Sequence, residues 1–401
     1  METFITKIYV KELRGGVRDL EIPLSENDHQ HLIITGKNGS GKTSLLEEIK
    51  KFLSQIESEN FEKYAENAQK KRLYDEKRQK GDGAFNIGDF AAVTHYLNQF
   101  GRTELYFSDN EIETKFKNGE YLLAYFGARR STTNEDFYNP IGIEKIELQK
   151  KYGLEDQANF DFIQYAVNLQ ADRLFAREAK ELDTVEKIDK WFEHFENQLK
   201  TIFNESSLEL FFDRKTYNFA IIIDGKQPFL LNALSDGYSA ILAIVSELLL
   251  RMEAHNIKAY DMEGIVLIDE IETHLHVELQ KRILPFLIAF FPKIQFIVTT
   301  HSPFVLSSIA NATICDLETK IITKDLTAYS YSALVESYFR ANKYSEIVKE
   351  KIAEYEKLLI KANKTIEDTE NIKSLQEYFA SAKLVSKELR IKLNQIELQY
   401  L

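Results

Sequence analysis

At 401 residues the chain is long enough for two or three domains around a large buried core. A hydrophobic fraction of 44%, with 27 Phe and 20 Tyr, excludes a disordered chain, and a net charge of −12 excludes a protein that is basic over its whole surface. The single cysteine, Cys315, excludes an intrachain disulfide and a thiolate zinc site, which fits a reducing cytoplasm.

The opening METFITKIYV lacks the positive and apolar regions of a signal peptide. The apolar stretches Ala240–Leu250 and Ile283–Phe291 are too short and too broken for a membrane span. In chain order, Phe4–Leu13 and Asp19–Leu24 read as two strands around the turn residues Arg14-Gly15-Gly16. His31–Thr35 reads as a strand entering a glycine-rich loop, and Ser44–Leu53 as the helix that follows. Ser54–Lys80 is polar and rich in Lys and Glu, the pattern of a solvated helix. Residues 104–126 (ELYFSD, EIETKFKN, EYLLAYFG) read as strands, 142–203 as charged helices and 208–223 as two strands. A helix from Ser235 to His255, a strand Gly264–Ile268, a helix over 273–291, a strand Ile294–Thr299 and a mostly helical tail after 330 complete the chain. There is no repeat at a fixed period.

The loop Gly36-Lys37-Asn38-Gly39-Ser40-Gly41-Lys42-Thr43 fits G-x-x-x-x-G-K-[ST] at every fixed position, with a strand before it and a helix after. The glycines let backbone N–H groups wrap phosphates, which the helix N-terminus also attracts. The expected cradle is Asn38, Gly39, Ser40, Gly41, Lys42, Thr43 and Ser44. Lys42 would neutralise the β- and γ-phosphates and the Thr43 hydroxyl would ligate Mg²⁺, so the ligands implied are ATP and Mg²⁺. A chance turn is the bland alternative, and it does not require the flanking strand and helix.

Ile265-Val266-Leu267-Ile268 reads as a buried parallel strand ending in Asp269-Glu270. The carboxyl end of such a strand is where an open α/β sheet presents ligand-binding groups. Asp269 would hold Mg²⁺ through water, and Glu270 would act as general base on an attacking water. Alone, an apolar run ending in two acids is usually structural; beside a phosphate loop it reads as functional. Phe296-Ile297-Val298-Thr299-Thr300-His301 is another buried strand, one crossover helix later. His301 could hydrogen-bond the γ-phosphate; its plain alternative is a residue before the helix opened by Ser302-Pro303. Leu234-Ser235-Asp236-Gly237-Tyr238 precedes a helix, with Ser235 as its N-cap and its free N–H groups as an anion site. By itself that is a common helix start.

In this order the loop, LSDGY, LIDEIETHLH and TTHSP resemble the Walker A, signature, Walker B and switch-histidine motifs of ABC-type ATPases. Within that class the chain resembles the soluble branch of RecF, the SMC proteins and the OLD nucleases. The opening ITKIYVKELRGGVRDLEIPL is similar to that branch's N-terminal hairpin. The resemblance covers about 1–50 and 205–310 and implies an α/β ABC-type head. It also implies that two heads sandwich ATP, with Ser235 and Gly237 acting on the partner's γ-phosphate. Asp236 and Tyr238 depart from the transporter signature, which argues against transport. No Gln of a Q-loop stands out; Tyr125-Phe126-Gly127-Ala128-Arg129-Arg130 occupies that place, and Arg130 and Arg14 are candidate nucleotide contacts. His274 and His276 match the His-Leu-His of the OLD-like branch; two apart, they cannot share a helix face, so a structural or dimer-facing role is favoured over a metal.

The expected organisation is residues 1–53 as the N-terminal part of the head, 54–204 as an inserted, mostly helical lobe with some head strands, 205–330 as the rest of the head, and 331–401 as a helical tail. Lys70, Lys71, Arg72, Lys77, Arg78 and Lys80 form a basic run in the lobe. Such a run is ordinarily a solvated helix face; DNA or partner contact is the alternative. After Pro303 there is no Asp-x-Asp and, past about 330, no buried strand, so a nuclease domain is not expected. The chain resembles standalone ATPase subunits of bacterial antiphage systems (Septu, PARIS and retron-associated sets). That implies a cytoplasmic ATPase, dimeric or of higher order, with a separate nuclease or toxin as effector and no membrane partner. A RecF-like DNA-repair ATPase and a nucleotide-gated scaffold with little turnover are the alternatives.

Overall fold

The computed structural model describes the chain except residues 1, 15, 80–85, 129–142, 144, 150, 254–260, 339–345, 382–386 and 401. The chain divides into two compact units, Met1–Tyr331 and Ser332–Leu401.

The first unit begins with β1 (Ile5–Glu12) and β2 (Arg18–Pro23), paired antiparallel. Next come β3 (His31–Thr35), α1 (Lys42–Glu57), α2 (Tyr64–Gln79), α3 (Ile87–Asn98) and β4 (Thr103–Phe107). They are followed by α4 (Ile112–Lys117), β5 (Tyr121–Phe126), α5 (Phe162–Ala179) and α6 (Leu182–Phe203). Then come β6 (Glu209–Asp213), β7 (Asn218–Ile222), β8 (Phe229–Leu230), α7 (Asp236–Glu253) and β9 (Glu263–Ile268). The unit closes with α8 (Val277–Phe290), β10 (Ile294–Thr299), α9 (Pro303–Leu306), β11 (Ala312–Asp316) and β12 (Ile321–Lys324).

The organising element is a six-stranded sheet in the order β12-β11-β3-β10-β9-β5. All its pairings are parallel except β11 with β12. Every residue of β3 and β10 is buried, as in strands covered on both faces, and this is why their centres, Leu32–Ile34 and Phe296–Val298, are apolar. The antiparallel sheet β2-β1-β4 packs beside it. Ile5, Ile8 and Ile22 of that sheet share one core with Leu45, Ile49, Phe52 and Ile56 of α1. Those α1 positions recur at helical spacing and bury one face. A third sheet, β6-β7-β8, leads directly to α7.

Three readings of the sequence need correction. EIETKFKN is not a strand; Ile112–Lys117 forms α4, with Ile112 and Phe116 buried one turn apart. Its end is closed by Gly119 at φ 75°, with the Gly119 N–H on Phe116 O and the Glu120 N–H on Lys115 O. That pairing satisfies the last helical carbonyls and needs a residue that tolerates positive φ. Second, the helices expected over 142–203 start only at Phe162, after a short 3₁₀ turn at Asn159–Asp161; the described residues from 151 to 158 are irregular. Third, β11 and β12, unassigned from the sequence, extend the main sheet.

The second unit holds helices Glu346–Ile360, Ile366–Ser381 and Lys387–Tyr400. Ile352, Tyr355, Leu359, Leu375, Phe379 and Leu393 form its small core. Among the described residues no helix is long and apolar enough to cross a membrane.

Candidate nucleotide site

The site grows from the carboxyl ends of three neighbouring strands, β3, β10 and β9. β3 delivers the loop Gly36–Gly41, and α1 starts at Lys42. Gly41 sits at φ 100°, and a Cβ there would come within 3.0 Å of the Arg14 carbonyl, so only glycine fits this turn beside the β1–β2 hairpin. Asn38 and Gly39 are exposed, while Ser40 is half-buried and its N–H closes a turn on Lys37 O at 3.1 Å.

Lys42 is 6% exposed. Its Nζ donates to Gly36 O at 2.9 Å and Lys37 O at 3.2 Å, so the ammonium lies over the loop it closes. Burial lowers its proton affinity, and the carboxylates of Glu270, Glu272, Asp269 and Asp316 oppose that. Four acids around one buried ammonium leave a local excess of negative charge.

Asp269 follows β9 and is 2% exposed. The Thr43 hydroxyl donates to Asp269 Oδ2 at 3.0 Å. From the other side, the Thr299 hydroxyl at the end of β10 donates to Asp269 Oδ1 at 2.5 Å. The same hydroxyl accepts the Glu270 N–H at 2.7 Å. The Asp269 N–H is held by Phe126 O of β5 at 2.8 Å. Glu270 is half-buried at φ 46°, in the left-handed region, where the chain leaves the sheet. Thr273 Oγ1 lies 3.4 Å from Glu270 Oε2.

His301 is half-buried just past β10, and its N–H donates to Glu272 Oε1 at 2.5 Å. Burial lowers the proton affinity of its imidazole, and the Lys42 ammonium lowers it further, while Glu272, Glu270 and Asp269 oppose both. Ser302 caps α9 with its hydroxyl, which accepts the Phe304 N–H at 3.1 Å and donates to Gln280 Oε1 at 2.7 Å.

Lys42, Thr43, Asp269, Glu270 and His301 are thus brought together. Ser235 and Gly237 come from the start of α7, not from the three strand ends. Ser235 and Asp236 are exposed at the start of α7, and Gly237 is packed where a Cβ would meet His274 O at 3.0 Å. His274 and His276 are exposed. The end of β5, at the Q-loop place, presents Tyr125 and Phe126 beside Asp269; Arg129 and Arg130 lie outside the described residues, as does Lys80. Arg14 lines a cavity of about 990 Å³ together with Thr43, Ser44, Lys51 and Arg102. On α2, Lys70 pairs with Glu66 and Lys71 with Asp75, while Arg72 lies 4.0 Å from Glu104. Thr299 and Glu272 lie inside the TTHSP and LIDEIETHLH stretches but were given no role from the sequence; their contacts with Asp269, Glu270 and His301 appear only in the packed sheet.

The donor set fits Mg²⁺: a hydroxyl and a buried carboxylate, both hard oxygens, at one edge of an acidic pocket. Among the described residues no group of three or more His, Cys, Asp or Glu is placed to hold a metal by protein ligands alone.

Residues 32–307, most of the chain and all of this site, match the family described as "AAA domain, putative AbiEii toxin, Type IV TA system". The chain belongs to this AAA-domain family. The match opens at β3 and ends past β10, so the family's domain contains both the glycine-rich loop and the strand that leads to His301. Among relatives, the Septu protein PtuA of Bacillus mycoides (strain KBAB4) is 26% identical over 323 residues, 79% of this chain. The chain spans only 40% of that relative's length. The Septu protein PtuA of Bacillus thuringiensis is 26% identical over 76% of this chain and 74% of its own length. The "Retron Ec83 probable ATPase" of Escherichia coli is 47% identical over 79 residues, 19% of this chain and 15% of the relative. The likeness to Septu and retron ATPases expected from the motifs is therefore borne out.

Proposed function

We propose that this AAA-domain chain binds and hydrolyses ATP, closes into a dimer of heads around it, and serves in the cytoplasm as the sensing ATPase beside a separate effector, a nuclease or toxin, in bacterial antiphage defence. The observation that carries the ATPase reading is the 3.0 Å contact from Thr43 Oγ1 to Asp269 Oδ2, which joins the phosphate loop to the acidic strand end. Bound Mg²⁺ would supply positive charge to the phosphates, with Thr43 and Asp269 to hold it. Lys42, already desolvated, is placed for the phosphates with little further cost of burial. Glu270, at the end of the same strand as Asp269, is the group to take a proton from an attacking water. His301 faces the same pocket from β10. The exposed start of α7 supports a signature that acts on a partner's nucleotide, since Ser235 points to solvent in the single chain.

The names of the Septu and retron relatives support the defence reading. The DNA-repair alternative gains nothing from α2, whose Lys70 and Lys71 are paired with acids on their own helix. The test is ATP turnover and calorimetric ATP binding. Lys42→Ala should weaken binding and abolish turnover. Glu270→Gln should bind ATP and lose about 10²–10⁴ in rate. Wild-type turnover in Glu270→Gln, or unchanged ATP affinity in Lys42→Ala, sinks the assignment.

A further inference from the structure

Glu272 lies in the turn between β9 and α8, past the two acids of the strand end. Its Oε1 accepts the His301 N–H at 2.5 Å, tying together residues 29 apart in sequence. Its other oxygen, Oε2, is buried without a hydrogen-bond partner. A buried carboxylate oxygen with no donor is destabilising, so the bond made by the other oxygen has to offset that cost.

The backbone around His301 is stapled on several sides. The Thr300 N–H pairs with Ile34 O of β3 at 3.0 Å. The Ser302 N–H donates to Thr300 Oγ1 at 3.0 Å, and Ser302 Oγ reaches Gln280 on α8. The His301 N–H lies past the end of β10, and a carboxylate oxygen of Glu272 satisfies it at short range. Glu272 also acts electrostatically on both Lys42 and the His301 imidazole, which places its charge inside the site.

We infer that Glu272 is a positioning residue that locks the main chain of His301 to the turn carrying Asp269 and Glu270. The inference rests on the ATPase reading above. Through this lock, the imidazole of one strand and the carboxylates of the other hold a fixed spacing. Breaking it leaves the His301 N–H without its acceptor while the neighbouring staples at Thr300 and Ser302 remain, and it removes none of the groups assigned to nucleotide.

The experiment is a double-mutant cycle on ATP turnover. Glu272→Met keeps the bulk and removes the acceptor; Glu272→Gln keeps an acceptor oxygen. A misplaced catalytic group can cost about 10²-fold, so Glu272→Met should lower kcat on that order while KM for ATP stays within about threefold. Glu272→Gln should recover most of the lost kcat. In a His301→Ala background, Glu272→Met should change kcat by no more than about twofold, because residues that act through one another are not additive. Equal losses in both backgrounds, wild-type kcat in Glu272→Met, or loss of its cooperative melting transition would each overturn the role. Turnover insensitive to Lys42→Ala would instead overturn the ATPase reading, and this inference with it.

Discussion

The hydroxyl of Thr299 donates to Asp269 Oδ1 at 2.5 Å, across the boundary between β10 and β9. Both residues are buried, so the bond is shielded from water. With the Glu270 N–H on the same oxygen of Thr299, one side chain sets the rotamer of one acid and the backbone of the other.

Thr299→Val should therefore damage function while nearly conserving shape. Partners of a metal-holding carboxylate typically account for about 10–100-fold in metal affinity or activity. The variant should need more Mg²⁺ for half-maximal turnover and show a lower plateau, and Thr299→Ser should restore both. A Mg²⁺ titration of ATP turnover checks this. Superimposable wild-type and Thr299→Val curves would remove Thr299 from the site.

The exposed Ser235 and the buried Lys42 lead to a mixing experiment. Lys42→Ala and Ser235→Arg proteins should each be inactive alone. In a mixed dimer one site carries both lesions and the other neither, so random pairing in an equal mixture should restore up to about a quarter of wild-type turnover. Obligatory firing of both sites would hide this, so association should also be followed by ultracentrifugation. Wild-type heads should associate more strongly with a non-hydrolysable ATP analogue than without nucleotide. No restoration and no nucleotide-dependent association together would exclude the shared site.

His31 gives a pH prediction separate from the nucleotide. It opens β3, is 1% exposed, and its Nδ1 accepts the Phe296 N–H at 3.1 Å. Burial pushes its pKa down to about 3, with the neighbouring His29 adding in the same direction. The folded state thus keeps His31 neutral, while the unfolded chain protonates it near 6.5. Its share of stability is present above that pH and is lost as pH falls from there toward 3, at about 1.4 kcal/mol per unit. His31→Asn keeps an acceptor for Phe296 and cannot titrate. Its unfolding free energy should fall less steeply between pH 6 and 4 than the wild type's, by about that slope, in urea titrations. Parallel slopes would show that His31 is not the group responsible.

Much of the site was legible from local spacing. Gly36–Thr43 stood out as a candidate phosphate loop because phosphate binding needs glycine at fixed turns and Lys-Thr at a helix start, and the structure places a strand before it and a helix from Lys42. Ile265–Glu270 and Phe296–His301 were legible because a strand covered on both faces must be a short apolar run, so the polar residues after it stand out. The limits were set by length and by contact. In Ile112–Lys117 the same six residues satisfy both a two-residue and a helical period, and the choice fell to Gly119 and the burial of Ile112 with Phe116 on one face. Arg251 buries its guanidinium against Glu247, Leu123 O and Gly153 O, a hub spanning three segments that no local pattern announces. Thr299 and Glu272 matter only because β10 lies between β3 and β9, and strand order is a long-range property of the packed sheet. The sequence by itself determined which residues can carry phosphate, metal and base chemistry, since those depend on residue type and near neighbours. Tertiary structure alone decided which hydroxyl and which carboxylate hold them in place, because hydrogen bonds between strands are set by register and adjacency, and neither is encoded within a single strand.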